Sequence, residues 1–120
     1  MNTLARSVLK YIRKKDLIRE NSRVITGISG GIDSVCLFYV LSELKEALGF
    51  ELCAVHVEHG IRGESSERDE EFVRELCKRE GAALKVYHEK ALDYAKENSL
   101  SVEEAARLLR YRDLRMPFWK

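Results

Sequence analysis

Six consecutive residues, Ser29-Gly30-Gly31-Ile32-Asp33-Ser34, bring two hydroxyls, an acid and a pair of glycines into one short stretch. They lie between a strand-like apolar run, Val24 to Ile28, and a helix-like one, Val35 to Leu41, so they form the turn from strand to helix. Glycine lets a turn fold tightly and lets a ligand approach without a Cβ in the way. The N–H groups that open a helix lack partners and point at whatever lies before them. The chemistry on offer is anion binding, with phosphate as the natural guest. Neither the G-x-x-x-x-G-K-[ST] loop nor the G-x-G-x-x-G spacing is present. A bare glycine turn would need neither the hydroxyls nor the acid.

A second stretch, Ala54-Val55-His56-Val57-Glu58-His59-Gly60-Ile61-Arg62-Gly63, sets two histidines and an arginine at the end of another apolar run. Taken singly, His56 reads as a packed strand residue and Arg62 as a loop charge; their place at a strand end beside the first turn makes them candidates for the same site. The third stretch runs from Ser101 to Tyr111. Ser101-Val102-Glu103-Glu104 is a capping box, and it opens an amphipathic helix that carries Arg107 and Arg110, with Ala105, Leu108 and Leu109 expected to pack inward.

The elements that must position these groups follow from periodicity. Leu4, Val8, Leu9, Ile12 and Ile18 recur at helical spacing and predict a helix from Asn2 to about Arg19. Arg23 to Ile28 is the first strand, Asp33 to about Leu48 the next helix, and Gly49 its left-handed cap. Glu51 to Val57 is a strand apolar enough to be buried on both faces. After a polar loop, Ser65 or Ser66 caps a helix with Phe72, Val73, Leu76 and Cys77 on its inner side, closed by Gly81. Ala83 to His88 is a third strand and Ala91 to Glu97 a short helix, before the capped helix that runs to about Leu114. Strands alternating with helices imply a parallel sheet with helices on both faces. Ligands of such sheets bind beyond the carboxyl ends of the strands. That edge collects the Ser29 turn, the loop from His56 to Arg62 and the segment after His88.

Composition sets the frame. The 120 residues suffice for about one small domain, and 45% hydrophobic with 34% charged residues describes a globular chain. No run approaches the ~18 apolar residues of a membrane span and no apolar signal core follows the first charges, so a cytoplasmic, membrane-free protein is expected. The net charge of +1 makes no electrostatic case for nucleic acid. Basic residues gather in the first and last helices, and Glu64, Glu67, Asp69, Glu70 and Glu71 form an acidic block; each reads as a solvated face. Cys36, Cys53 and Cys77 are widely spaced within apolar runs and read as reduced core thiols.

The string S-G-G-I-D-S resembles the S-G-G-x-D-S pyrophosphate loop of the N-type ATP pyrophosphatases, the PP-loop family. The A-V-H-V-E-H-G-I-R-G string and the E-E-A-A-R-L-L-R-Y helix are similar to motifs of one subfamily, the tRNA(Ile)-lysidine synthetases, over about Val24 to Tyr111. Glu58 departs from that pattern, which has asparagine there. The resemblance implies a partial Rossmann-like (adenine nucleotide alpha hydrolase-like) fold, a parallel sheet of about three strands flanked by helices. It divides residues 1–120 into a leading helix (1–20), an α/β core (21–114) and an apolar tail (115–120).

It further implies ATP and Mg²⁺ as cofactors. Ser29, Gly30, Gly31, Asp33 and Ser34 would cradle the phosphates with His56, His59 and Arg62 nearby, Asp33 would hold the metal, and Arg107 and Arg110 would face the reaction centre. The reaction would adenylate C2 of the wobble cytidine of tRNA(Ile) and join L-lysine there. The family sheet is ordered 3-2-1-4-5, and only its first three strands are expected here. Strand 1 would then present an open edge that invites self-association or a complementing chain. A non-catalytic nucleotide-binding or assembly fragment and another PP-loop tRNA-modifying enzyme, such as a thiolase, are the competing readings; the lack of paired cysteines weakens the thiolase.

Overall fold

A computed structural model of the chain describes residues 2–29, 31–60 and 64–116, the side chains of 64–66 excepted. Helix α1 covers Thr3–Lys15; the Asn2 side chain accepts from the Ala5 N–H at 2.8 Å and so caps it. Three cationic residues, Arg13, Lys14 and Lys15, close the last turn, where the helix dipole favours positive charge. The helix is shorter than its apolar spacing predicts. Asp16 turns left-handed at φ 52, and the Leu17 N–H reaches back to the Ile12 carbonyl at 3.1 Å, which ends it before Ile18.

Strand β1 (Arg23–Gly27), strand β2 (Glu51–Glu58) and strand β3 (Ala83–His88) form one parallel sheet in the order β1-β2-β3. The register pairs Arg23 with Glu51 and Glu58 with His88, so the carboxyl ends of β2 and β3 lie level. Helix α2 (Ile32–Leu48) and helix α3 (Glu64–Glu80) are the crossovers. α2 ends as expected on Gly49, at φ 71. Helices α4 (Ala91–Glu97) and α5 (Val102–Arg115) follow the last strand.

Successive residues of a strand face opposite sides of a sheet, and β2 is buried on both. Leu52 and Ala54 join the main core with Phe38 and Leu44 of α2 and with Val73, Leu76 and Cys77 of α3; α1 adds Ala5 and Ile12. Cys53 and Val55 face the other way, where α5 packs on β1 and β2, and α4 packs on α5. Phe38 and Leu44 are fully enclosed, and each such side chain stabilises the fold by roughly 1.5–3 kcal/mol on burial.

Three inward placements are corrected. Phe72 is 46% and Leu108 41% exposed, and Cys36 is exposed rather than a core thiol. The cause is helix phase. On α3 the buried arc is Val73, Leu76 and Cys77, and on α5 it is Ala105, Leu109 and Asp113, so an apolar residue one step away turns outward. Phe72 instead borders, with Leu4, Ile32, Val35, Cys36 and Tyr39, an apolar groove of about 400 Å³ between α1, α2 and α3. No helix among the described residues is long and apolar enough to cross a membrane.

Candidate functional site

β1 delivers the chain to the turn through one last ladder bond, from the Ile28 N–H to the Val55 carbonyl at 2.9 Å. Beyond it the hydroxyls take over. The Ser34 Oγ donates to the Gly31 carbonyl at 3.1 Å and accepts from the Ser29 N–H at 3.1 Å. The Ser29 Oγ accepts from the Gly31 N–H at 3.3 Å and lies 3.1 Å from the Ser34 Oγ. Since the single Ser34 proton is committed to Gly31, the Ser29 hydroxyl donates across that last gap.

Gly31 is the residue before α2, at φ −76, and brings no side-chain cap. Its backbone is open to any residue, so the left-handed freedom of glycine is not what the position requires. A Cβ there would stand 3.4 Å from the Ser29 Oγ. The first intrahelical bond is Val35 N–H to Gly31 carbonyl, 3.1 Å, so the N–H groups of Ile32, Asp33 and Ser34 precede the ladder and stay available at the positive end of the dipole. Asp33 is exposed in that first turn and has no hydrogen bond or ion pair to the described residues.

A cleft of about 890 Å³ opens beyond the carboxyl edge of the sheet. Ser29, Gly31 and Ser34 border it with His56, Glu58 and His59 from β2 and the loop after it, and with Ala106, Arg110 and Tyr111 from α5. The structure therefore brings together the hydroxyl turn, both histidines and Arg110. Asp33 stands beside the cleft without bordering it, and Arg107 is exposed on α5 outside it. Gly30, Ile61, Arg62 and Gly63, two of them expected in the site, lie outside the described residues.

His56 is only 3% exposed, and its Nδ1 lies 2.6 Å from the Ile28 carbonyl. His59 is half-buried with an Nδ1 that has no partner among the described residues. Burial pushes its pKa below the ordinary histidine value, and the Arg110 charge pushes the same way; Glu58, then Glu89, oppose this and the His56 charge adds to it. Glu58 has a structural part. Its Oε1 accepts the N–H of Gly60 at 2.6 Å, and Gly60 is left-handed at φ 72, so the carboxylate shapes the turn after β2. The same turn is tied to the end of β3: the Glu89 N–H donates to the Glu58 carbonyl at 2.7 Å and the Ala91 N–H to the His59 carbonyl at 3.2 Å.

α5 is held over the cleft from its far side. Ser101 caps it as expected, its Oγ accepting from the Glu104 N–H at 3.1 Å. Arg112 donates to the Glu89 carboxylate, and its Nε lies 3.7 Å from the Asp113 Oδ1. Asp113 is 3% exposed with an unpartnered Oδ2. Burial, then the Glu89 charge, raises its pKa, against a smaller opposite pull from Arg112.

Sequence reading missed Asp69 and Glu103, which also border the cleft. Asp69 was read with an acidic block taken as a solvated face, although its place in the second turn of the helix after β2 puts it near the strand's carboxyl end. Glu103 served there only as part of a capping box.

A parallel sheet whose first strand feeds a hydroxyl-bearing turn and a helix N-terminus, with an arginine helix closing over the strand ends, defines a nucleotide-type phosphate-binding α/β domain. The chain belongs to the PP-loop domain family, whose model matches residues 1–117. The tRNA(Ile)-lysidine synthase of Clostridium acetobutylicum is 38% identical over 104 residues, which is 87% of this chain and 23% of that protein. The tRNA(Ile)-lysidine synthase of Dehalococcoides mccartyi is 40% identical over 108 residues, 90% of this chain and 23% of that protein. The chain thus spans about a quarter of the length of these relatives. Among solved structures, the U34-tRNA thiolase NcsA from Methanococcus maripaludis with its [4Fe-4S] cluster is similar, with a TM-score of 0.59 and 29% identity over 74% of this chain and 30% of that one.

Proposed function

We propose that the chain is the ATP-binding part of an AMP-forming ligase of the tRNA(Ile)-lysidine synthase type. Such a ligase adenylates the C2 oxygen of the wobble cytidine and lets the lysine amine displace AMP. One observation carries the reading: the Ser29 and Ser34 hydroxyls and the Arg110 guanidinium border the same cleft at the carboxyl edge of the sheet. Free N–H groups and hydroxyls on one side and a forked cation on the other suit a polyphosphate whose charge grows as pyrophosphate departs.

Asp33 fits Mg²⁺: it is an exposed, unengaged carboxylate next to the hydroxyls, and Mg²⁺ binds through one or two carboxylates together with substrate phosphates. Arg110 is the better placed of the two arginines, and Arg107 is left for a later contact with the tRNA or the adenylate. His59, kept neutral by burial and by Arg110, adds no charge against a bound magnesium. The thiolase reading gains nothing from the cysteines: Cys53 and Cys77 are buried, Cys36 is exposed, and no described group of metal ligands forms.

The test is ATP–pyrophosphate exchange with tRNA(Ile), comparing the wild type with Asp33→Ala, alongside ATP binding by titration calorimetry. Exchange that depends on Asp33 supports the ligase. ATP binding without exchange supports the second reading, a nucleotide-binding fragment that acts with a complementing chain. Two features favour such a partner: the outer edge of β1 pairs with no strand among the described residues, and Ile32 beside the apolar groove is 87% exposed. Light scattering that shows only monomer at high concentration would count against self-association. A cytoplasmic setting goes with this reading.

A further inference from the structure

His56 combines near-complete burial with an unmatched ring nitrogen. A carbonyl oxygen only accepts, so the 2.6 Å contact with the Ile28 carbonyl requires the proton of His56 on Nδ1. In the neutral ring that leaves Nε2 as a lone-pair acceptor. Nε2 has no partner among the described residues, and His56 borders the cleft. A polar atom on a side chain only 3% exposed is costly to leave unmatched. The fixed tautomer also sets the kind of group that would match it: a donor, and not a phosphate oxygen.

We propose that the Nε2 of His56 accepts a hydrogen bond from a donor on the nucleotide, either the exocyclic amine of the base or a ribose hydroxyl. This rests on the nucleotide reading above and sharpens it by giving the phosphate turn and the nucleoside different partners. Ser29, Gly31 and Ser34 offer donors to the anion, whereas His56 offers an acceptor to the uncharged portion. Through Nδ1 the same ring also holds the Ile28 carbonyl, one residue before the turn, so contact with the nucleoside is mechanically joined to the phosphate end.

Two side chains separate the roles. In His56→Asn the amide nitrogen takes the place of Nδ1 and keeps the bond to Ile28, but no atom occupies the Nε2 position. In His56→Gln an amide oxygen reaches the Nε2 position. ATP affinity measured by calorimetry should fall roughly three- to tenfold in His56→Asn, the size of one neutral hydrogen bond, and recover in part in His56→Gln. Nitrogen-15 NMR of the wild type should show the proton on Nδ1 and a shift of the Nε2 resonance when ATP is added, which needs no variant to fold.

Inosine triphosphate, 2′-deoxy-ATP and 3′-deoxy-ATP identify the donor, because the His56→Asn penalty should vanish for the one analogue that lacks it. ATP binding with an unmoved Nε2 resonance and an unchanged affinity in His56→Asn would overturn this assignment alone. A wild-type chain that binds no ATP would overturn it together with the nucleotide reading.

Discussion

Arg112 donates to the carboxylate of Glu89, and through that bond α5 is fastened to the segment between β3 and α4. Because the Glu89 N–H is itself bonded to the Glu58 carbonyl, the arginine helix and the histidine turn share one support. The height of Arg110 over the cleft depends on this tie.

Replacing Arg112 with alanine leaves Glu89 and the buried Asp113 facing one another without their shared cation. The pair is half exposed on the arginine side, which tempers its worth. A loss of about 1–2 kcal/mol is expected, read as a lower urea midpoint at an unchanged slope. Adding Asp113→Asn should return part of it, since the repulsion is then gone. Additive losses would show that the two acids do not communicate.

The two arginines of α5 should separate in a nucleotide titration. Arg110→Ala removes the guanidinium at the cleft and should weaken ATP by tenfold or more, in line with the loss of a charge-assisted hydrogen bond. Arg107→Ala should change ATP affinity less than twofold. Equal losses from both would mean that α5 rotates when nucleotide binds.

The thiols are expected to react in a fixed order. Burial pushes Cys77 up to about 11, and burial followed by the Glu51 charge raises Cys53, while Cys36 is exposed. The thiolate is the nucleophile. A disulfide reagent at pH 8 should therefore titrate one thiol quickly and the other two only as the chain unfolds; three fast thiols would place Cys53 and Cys77 outside the core.

His59 makes stability depend on pH in one direction. Its folded pKa lies below the ordinary histidine value of 6.5, so between the two the unfolded chain binds more protons than the folded one. Stability then rises with pH across that window and is lost as pH falls through it. Urea midpoints measured from pH 7 down to pH 5 should fall for the wild type and fall less for His59→Gln. Parallel curves would assign the effect to other groups.

Much of this architecture is legible in the residues. The β3 and α4 boundaries, the Ser101 cap, the Gly49 stop and the parallel order follow from apolar runs and from punctuating glycines and serines, all local signals. What escaped was phase and aim. Phe72 and Leu108 each neighbour the buried arc of a helix, and nothing in a linear pattern distinguishes the arc from its border when both are apolar. Arg107 and Arg110 are equivalent in sequence and differ only in how α5 is rotated against the sheet, which is decided by Ala105, Leu109 and the Arg112 tie. The role of Glu58 lay in a side-chain bond to a backbone two residues ahead, with Gly60 in a left-handed turn.

The closed ring of bonds among Ser29, Gly31 and Ser34 bears on how fast a ligand is admitted. Every hydroxyl proton there already has an acceptor, so an arriving anion gains donors by turning two hydroxyls, a picosecond to nanosecond event, and not by folding a loop. Association should then show a single phase whose rate grows linearly with nucleotide concentration and falls with added salt, as expected of a site shaped before its guest arrives.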